Sequence, residues 1–146
     1  MADTDTILPI LKKIPLLEEL NEEDHKEIVK HITLEYYPSH HVLFHEGDPG
    51  SAVYIVKRGI VRIYHEGASS DEDQEIALLA DNDVFGEMAI ISEKPRNATA
   101  QTMEESEIFV LKKDDFVQLI GSNPNMASRI SGEFLKRLKI NLKEES

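Results

Sequence analysis

Residues 84–100 bring together, in one short segment, the residue types that could hold a sugar phosphate. Gly86 lacks a Cβ atom, so a ligand can approach its backbone closely. The helix formers from Met88 to Ile91 predict a helix start, whose free N–H groups suit an anion. Arg96 follows a proline that fixes the preceding backbone, and its planar fork can bind two phosphate oxygens at once. The Glu87 carboxylate can accept hydrogen bonds from a ribose hydroxyl.

Simpler roles for the two charged residues stay open at this point. Arg96 could be a surface arginine paired with Glu93. Glu87 could be an acidic residue in the first turn of a helix, where the helix dipole favours it.

Residues 4–32 and 113–143 have the apolar spacing of helices. In the first region Pro9 and Pro15 are expected to break the helical run, and Asn21 precedes acidic residues as a typical N-cap. In the second region a short helix is expected to end at Gly121, and Asn123-Pro124 starts the next one. Along that last helix, apolar residues step by four on one face: Met126, Ile130, Phe134 and Leu138.

Residues 33–112 show short apolar runs separated by turn residues, a pattern typical of an all-β sandwich or barrel. Arg58-Gly59, between two such runs, predicts a hairpin turn. We find no internal repeat, and we predict one domain over residues 1–146. The predicted strands are Leu34–Tyr37, Val42–Phe44, Val53–Val56, Ile60–Tyr64, Ile76–Leu79, Val84–Phe85, Ala98–Met103 and Ile108–Leu111.

Composition and charge limit the possible partners. The formal net charge of −12 argues against non-specific binding to nucleic acid or to anionic membranes. Residues 123–146 nevertheless carry five basic and three acidic residues, so this basic segment could contact an acidic partner, the acidic body of the chain, or only solvent. No apolar run approaches the ~20 residues of a membrane span. The acidic, polar N-terminus does not resemble a secretory signal, and we therefore expect a cytoplasmic location.

Four parts of the sequence together resemble the cyclic-nucleotide-binding domain family, which includes the catabolite activator proteins and the regulatory subunits of protein kinase A. The resemblance covers residues 15–143, and its motifs are Phe85-Gly86-Glu87-Met88-Ala89, Pro95-Arg96-x-Ala98-Thr99, Phe44-x-Glu46-Gly47-Asp48 and Tyr54-Ile55-Val56-x-x-Gly59-x-Val61. It implies a β-barrel or jelly roll with N-terminal helices over residues 4–32 and a C-terminal lid helix. The barrel would span residues 33–112, with a phosphate-binding cassette at 85–99.

The resemblance also implies ligand-binding roles for the cassette residues. Arg96 would bind the cyclic phosphate and Glu87 the ribose. Backbone N–H groups of Met88, Ala89 and Asn97 would complete the phosphate contacts, in a cassette that also contains Gly86 and Ala98.

Contacts to the base are implied by the same resemblance, although each of these apolar residues could equally be plain core. The candidates on the barrel are Ile63, Ile76 and Leu79, and those on the lid helix are Ile130, Phe134 and Leu138. Asn97 departs from the family pattern, in which a hydroxyl residue after the arginine favours guanine and alanine accompanies adenine. Because an amide both donates and accepts, the base stays open, with cyclic AMP expected and cyclic GMP the alternative.

A cupin-like metal-binding protein is the competing interpretation from another class. His41, His45 and Glu46 lie near a predicted strand and His65 near another, but the His-x-His pair that such sites use is missing. The sequence contains no cysteine and no Gly-x-Ser-x-Gly motif, so we expect no metal, no cofactor and no enzyme activity.

We therefore predict a cyclic-nucleotide sensor whose C-terminal helix moves when the ligand binds. The sequence ends shortly after that helix, so we expect no direct DNA binding and no membrane contact. The output would be an effector protein, a homodimer formed through the C-terminal helix, or a region of a longer chain. The alternative is the same fold without nucleotide binding, acting as a protein-interaction module.

Overall fold

A computed structural model describes residues 4–14, 17–86 and 94–130 of the chain. The helices are α1 (Thr4–Leu11), α2 (Glu22–Val29), α3 (Lys113–Ser122) and α4 (Pro124–Arg129). The strands are β1 (Thr33–Tyr37), β2 (Val42–Phe44), β3 (Ala52–Arg58), β4 (Val61–His65), β5 (Gln74–Leu79), β6 (Val84–Phe85), β7 (Thr99–Thr102) and β8 (Ser106–Lys112). The predicted mainly β fold with flanking helices is confirmed.

The strands form two four-stranded sheets, in the orders β1-β8-β3-β6 and β2-β7-β4-β5. All recorded strand pairs are antiparallel. Between the sheets lies an inner cluster of buried residues: Ala52, Val56, Val61, Phe85, Ala100, Ile108 and Val110. Since the sheets stay separate, the architecture is a sandwich of the jelly-roll type and not a closed barrel.

The predicted hairpin at Arg58-Gly59 is wrong. This turn joins β3 to β4, which lie in different sheets, so it carries the chain across the sandwich. Gly59 adopts a φ of +120°, and a Cβ atom there would collide with the side chain of Ser106. Positive φ and close packing therefore explain the glycine. The neighbouring strands that do pair are β4 and β5.

The helices cover the outer face of the first sheet. They contribute to an outer cluster of buried residues: Ile7, Ile10, Leu11, Ile14, Leu17, Leu20, Ile28, Val29, Ile32, Val53, Ile55, Phe109, Leu111, Phe116, Leu119, Ile120, Met126 and Ile130. Val53 and Ile55 of β3 face this outer cluster, while Ala52 and Val56 face the inner one. The period-2 alternation of a strand thus divides β3 between two cores.

The N-terminal helices agree with the sequence at one end and differ at the other. The Asn21 side chain accepts the Asp24 backbone N–H at 2.9 Å, and Asp24 caps back onto Asn21, which confirms the predicted N-cap. Pro9 lies inside α1 and does not end it. A short helix loses one backbone hydrogen bond to a proline, and the burial of Ile10 and Leu11 beside it offsets this loss. Pro15 lies outside the described residues.

The helix α3 passes through Gly121 and ends at Ser122, so the predicted stop at Gly121 is wrong. Gly121 is exposed with open space around it, and a single glycine at the end of a helix costs only ~1 kcal/mol. The start of α4 is as predicted: Pro124 is its first residue, and the Asn123 side chain accepts the Met126 N–H at 3.2 Å.

The helix α4 ends at Arg129, because Ile130 has extended backbone with φ −82° and ψ 145°. The prediction of one helix running through Ile130 is therefore wrong at that residue. Ser131-Gly132 follows in the sequence, and glycine has a low helix propensity. Residues 131–146, including Phe134 and Leu138, lie outside the described part of the chain. No helix among the residues described has the length and apolar character needed to cross a membrane.

Candidate functional site

The guanidinium of Arg96 contacts both sheets of the sandwich. Its Nη2 donates to the backbone carbonyl of Ala52, in β3, at 2.9 Å. Its Cζ lies 4.0 Å from the ring centroid of Phe44, in β2, and 5.8 Å from that of Tyr54, in β3. A charged side chain is thereby placed against the inner faces of the two sheets.

The backbone of Arg96 is held by the turn that follows β2. The Arg96 N–H donates to the carbonyl oxygen of Asp48 at 2.7 Å, and the Gly47 N–H donates to the carbonyl oxygen of Arg96 at 2.8 Å. The Asp48 carboxylate in turn accepts the backbone N–H of His45 at 2.8 Å. The Glu46-Gly47-Asp48 motif therefore fixes the position of an arginine far away in sequence.

Gly86 gives the Arg96 side chain the space it occupies. Its φ is +76°, and a Cβ atom at this position would lie 2.7 Å from Nη1 of Arg96 and 3.3 Å from the carbonyl oxygen of Ala52. The sequence suggested that the missing Cβ leaves room for a ligand. Within the described residues, the protein's own arginine already uses that room.

The Arg96 guanidinium is a partly buried cation with an unused donor. Burial lowers the pKa of Arg96 below its usual value, and the neighbouring Tyr54 and Asp48 oppose this shift. The Nε atom is buried and has no hydrogen-bond partner among the described residues. A guanidinium stays protonated at neutral pH, so the site offers positive charge and a free N–H to an anion.

Three aromatic rings surround this cation, and the sequence analysis did not identify them as a group. Tyr54 stacks on Phe85 with centroids 5.0 Å apart, and the Phe44 centroid lies 5.8 Å from Tyr54 and 6.2 Å from Phe85. Burial is the main cause of a raised Tyr54 pKa, which nearby Arg96 counteracts. Each ring belongs to one of the motifs quoted above, and that shared membership was the available signal.

A second polar pair on the inner face was also missed. Glu35 pairs in register with the fully buried Ile108, so both side chains point between the sheets. The Tyr37 hydroxyl donates to the Glu35 carboxylate at 2.5 Å. Burial, followed by this hydrogen bond, raises the pKa of Tyr37 well above its ordinary value. Strand alternation placed these residues correctly, but β1 offered no local sign of the contact.

The other predicted site residues divide into three groups. Ile63 and Leu79 are partly buried and pack against the inner cluster, whereas Ile76 lies at a register shift of β5 and is 53% exposed. Asn97 is exposed and Ala98 is buried. Ile130 belongs to the outer cluster, so the structure does not bring it together with Ile63 and Leu79.

The remaining candidates of the cassette and the lid lie outside the described residues. They are Glu87, Met88, Ala89, Phe134 and Leu138.

The histidines do not converge on one point. His45 Nδ1 lies 3.3 Å from the Glu66 carboxylate, and His65 Nδ1 lies 3.2 Å from Glu46. The His41 ring instead packs beside Tyr37, with centroids 5.0 Å apart. Over residues 4–14, 17–86 and 94–130, no three His, Asp or Glu side chains are grouped to hold a metal ion. The described residues therefore supply no ligand set for the cupin-like alternative.

Comparisons with known proteins agree with this geometry. The family model described as "Cyclic nucleotide-binding domain" matches residues 34–123. The chain is similar to the cyclic AMP receptor protein of Thermus thermophilus, with 30% identity over 88% of this chain and 59% of that protein. It is also similar to cGMP-dependent protein kinase, isozyme 1, of Drosophila melanogaster, with 29% identity over 93% of this chain and 18% of the relative.

A solved structure shares both fold and sequence with the chain. It is a cyclic nucleotide-binding domain from Methylobacillus flagellatus, with a TM-score of 0.72, 25% identity, and coverage of 97% of this chain and 79% of that one. The two sequence relatives are longer than the chain, which spans 59% and 18% of their lengths.

Proposed function

Because the chain belongs to the cyclic nucleotide-binding domain family, we propose that it binds a 3′,5′-cyclic purine nucleotide, with cyclic AMP preferred and cyclic GMP the alternative. The observation that carries the proposal is the Arg96 guanidinium, a partly buried cation with an unpaired Nε. A cyclic phosphate supplies the single negative charge and the acceptor oxygens that such a group lacks.

The other ligand contacts in this proposal follow the family motif. Glu87 accepts hydrogen bonds from the ribose, and backbone N–H groups of Met88, Ala89 and Asn97 donate to the phosphate. The partly buried Ile63 and Leu79 contact the base from the inner face of the second sheet. The exposed position of Asn97 is compatible with a contact to either purine or to the phosphate.

Binding signals through the C-terminal segment in this proposal. A ligand moves an element only if it binds one of its positions better than another. The end of α4 at Arg129 and the extended backbone of Ile130 support a change of direction at this point. The signal passes to an effector protein or to a second copy of the chain, and the net charge of −12 favours a protein partner over direct contact with DNA.

Isothermal titration calorimetry with cyclic AMP and cyclic GMP tests the proposal. We expect a dissociation constant in the micromolar range, about −8 kcal/mol. Native mass spectrometry of the same preparation checks for co-purified nucleotide, which would mask the heat of binding. Heat for neither nucleotide, with no nucleotide retained, would contradict the proposal and leave the protein-interaction module as the function to test.

A further inference from the structure

We infer that Phe44 is a positioning residue for Arg96, because its ring holds the plane of the guanidinium so that an edge with free donors is available to the phosphate. The contact itself exists without a ligand. Its effect on affinity rests on the proposed function.

The Phe44 ring lies against the guanidinium at cation–π distance. The Cζ atom of Arg96 is 4.0 Å from the ring centroid, close enough for direct contact. The site is partly buried, which strengthens the attraction between the cation and the ring relative to an exposed pair. The ring therefore contributes more than apolar packing.

An aromatic face and a phosphate use different parts of a guanidinium. The ring occupies its face, whereas phosphate oxygens accept hydrogen bonds in its plane. In that plane Nη2 already donates to the Ala52 carbonyl at 2.9 Å, and the Nε donor is unpaired among the described residues. Ring and phosphate can thus be bound at the same time, so Phe44 keeps its contact when the ligand arrives.

A β-bulge places Phe44 where it can do this. Val42 pairs with Gln101, but Phe44 pairs with Ala100 and not with Thr99, so β2 contains an extra residue between these pairs. Gln101 and Ala100 are neighbours on β7 and face opposite sides of the sheet. The bulge consequently turns Phe44 to the inner face, where it packs against the inner cluster. A regular strand would have kept Val42 and Phe44 on one face.

Nuclear magnetic resonance of the ligand-free protein tests the contact. We would record the Nε–H signals of the arginines and assign Arg96 with the variant Arg96→Lys. The ring current of Phe44 should shift the Arg96 signal away from those of exposed arginines. In Phe44→Leu this shift should disappear, and in Phe44→Tyr it should persist. An Arg96 signal that is the same in the parent and in Phe44→Leu would overturn the inference without any ligand.

A double-mutant cycle with cyclic AMP tests the effect on affinity. Phe44→Leu should weaken binding about tenfold, within the range of a partly desolvated cation–π contact. Phe44→Tyr should recover most of that loss. In an Arg96→Ala background, Phe44→Leu should cause no further loss, because Phe44 acts through Arg96. A tenfold loss in both backgrounds, or no loss in either, overturns the inference.

Tyr64 provides a matched control. Its ring lies 4.1 Å from Cζ of Arg62, so it forms a cation–π pair of the same kind on the other face of the second sheet. Tyr64→Leu should leave the affinity for cyclic AMP unchanged. If the parent protein binds no cyclic nucleotide, the proposed function fails while the resonance of Arg96 still decides whether Phe44 positions it.

Discussion

Arg129 donates from Nη1 to both carboxylate oxygens of Asp24, at 3.1 and 3.2 Å, and so joins α4 to the start of α2. The same carboxylate accepts the backbone N–H of Asn21 at 3.3 Å as part of the capping box. Asp24 is only 4% exposed. One buried acid therefore completes a helix cap and ties the C-terminal helices to the N-terminal ones.

Arg129→Ala should lower the free energy of unfolding by about 1–2 kcal/mol, because it leaves a buried carboxylate without its cation. Urea denaturation measures the change. Lys30→Ala is the matched control, since its ion pair with Glu27 is largely exposed and should contribute less than about 0.5 kcal/mol. Equal effects of the two substitutions would show that the Asp24 pair is no more than a surface contact.

Gly86→Ala should weaken nucleotide binding about tenfold, because the new Cβ would lie 2.7 Å from Nη1 of Arg96 and must displace it. Calorimetry with cyclic AMP measures the effect. The control is Gly47→Ala, where φ is also positive, at +93°, but no atom lies within 4 Å of the added Cβ. Both variants carry backbone strain of about 1–2 kcal/mol, so their difference isolates the displacement of Arg96. Similar affinities for the two variants would contradict the predicted displacement.

Arg96→Ala should weaken binding of cyclic AMP by about 2–5 kcal/mol, since the bound phosphate loses its partly buried cation. Arg96→Lys should recover only part of this, because an ammonium group cannot make two parallel hydrogen bonds. Titration calorimetry of each variant gives the values. The control Arg58→Ala removes the same charge from an exposed position paired with Glu107, and should have little effect. Parent-like affinity in both Arg96 variants would remove Arg96 from the site.

Cyclic nucleotide should slow amide hydrogen exchange over residues 123–143, since a segment that covers the filled site gains contacts. Exchange followed by mass spectrometry, with and without cyclic AMP, measures this. The strands β1 and β8 serve as the internal reference for unchanged regions. Protection confined to residues 84–100 would mean that the C-terminal segment does not respond to binding. Protection that depends on dilution in the absence of nucleotide would indicate a dimer.

The sequence predicted the strands well because their signal is local. All eight predicted runs fall on observed strands, since alternation and turn residues mark each one separately. Which strands pair is not a local property, and this is why the turn at Gly59 was mistaken for a hairpin. The fit of Gly59 depends on Ser106, which is far away in sequence and carries no mark of the contact.

The site was predictable in its residues but not in its surroundings. The chemistry of Arg96 and Gly86 follows from their types, but their mutual contact requires a left-handed glycine and the Ala52 carbonyl. The role of Phe44 depends on a bulge of one residue in β2, which leaves no trace in the hydrophobic pattern. Likewise, the end of α4 before Ile130 was hidden by apolar residues that continue at helical spacing.

The pairing of β1 with β8 also has a consequence for how the chain folds in time. Thr33 lies opposite Val110, so this strand pair closes a loop that contains nearly the whole β region. Loops of this length are entropically costly to close, and two-state folding of such β topologies takes roughly milliseconds to seconds. Arg96 reaches the Ala52 carbonyl only after β3 is in place beside β8. A chain emerging from the ribosome therefore has to complete β8 before the pocket around Arg96 can assemble.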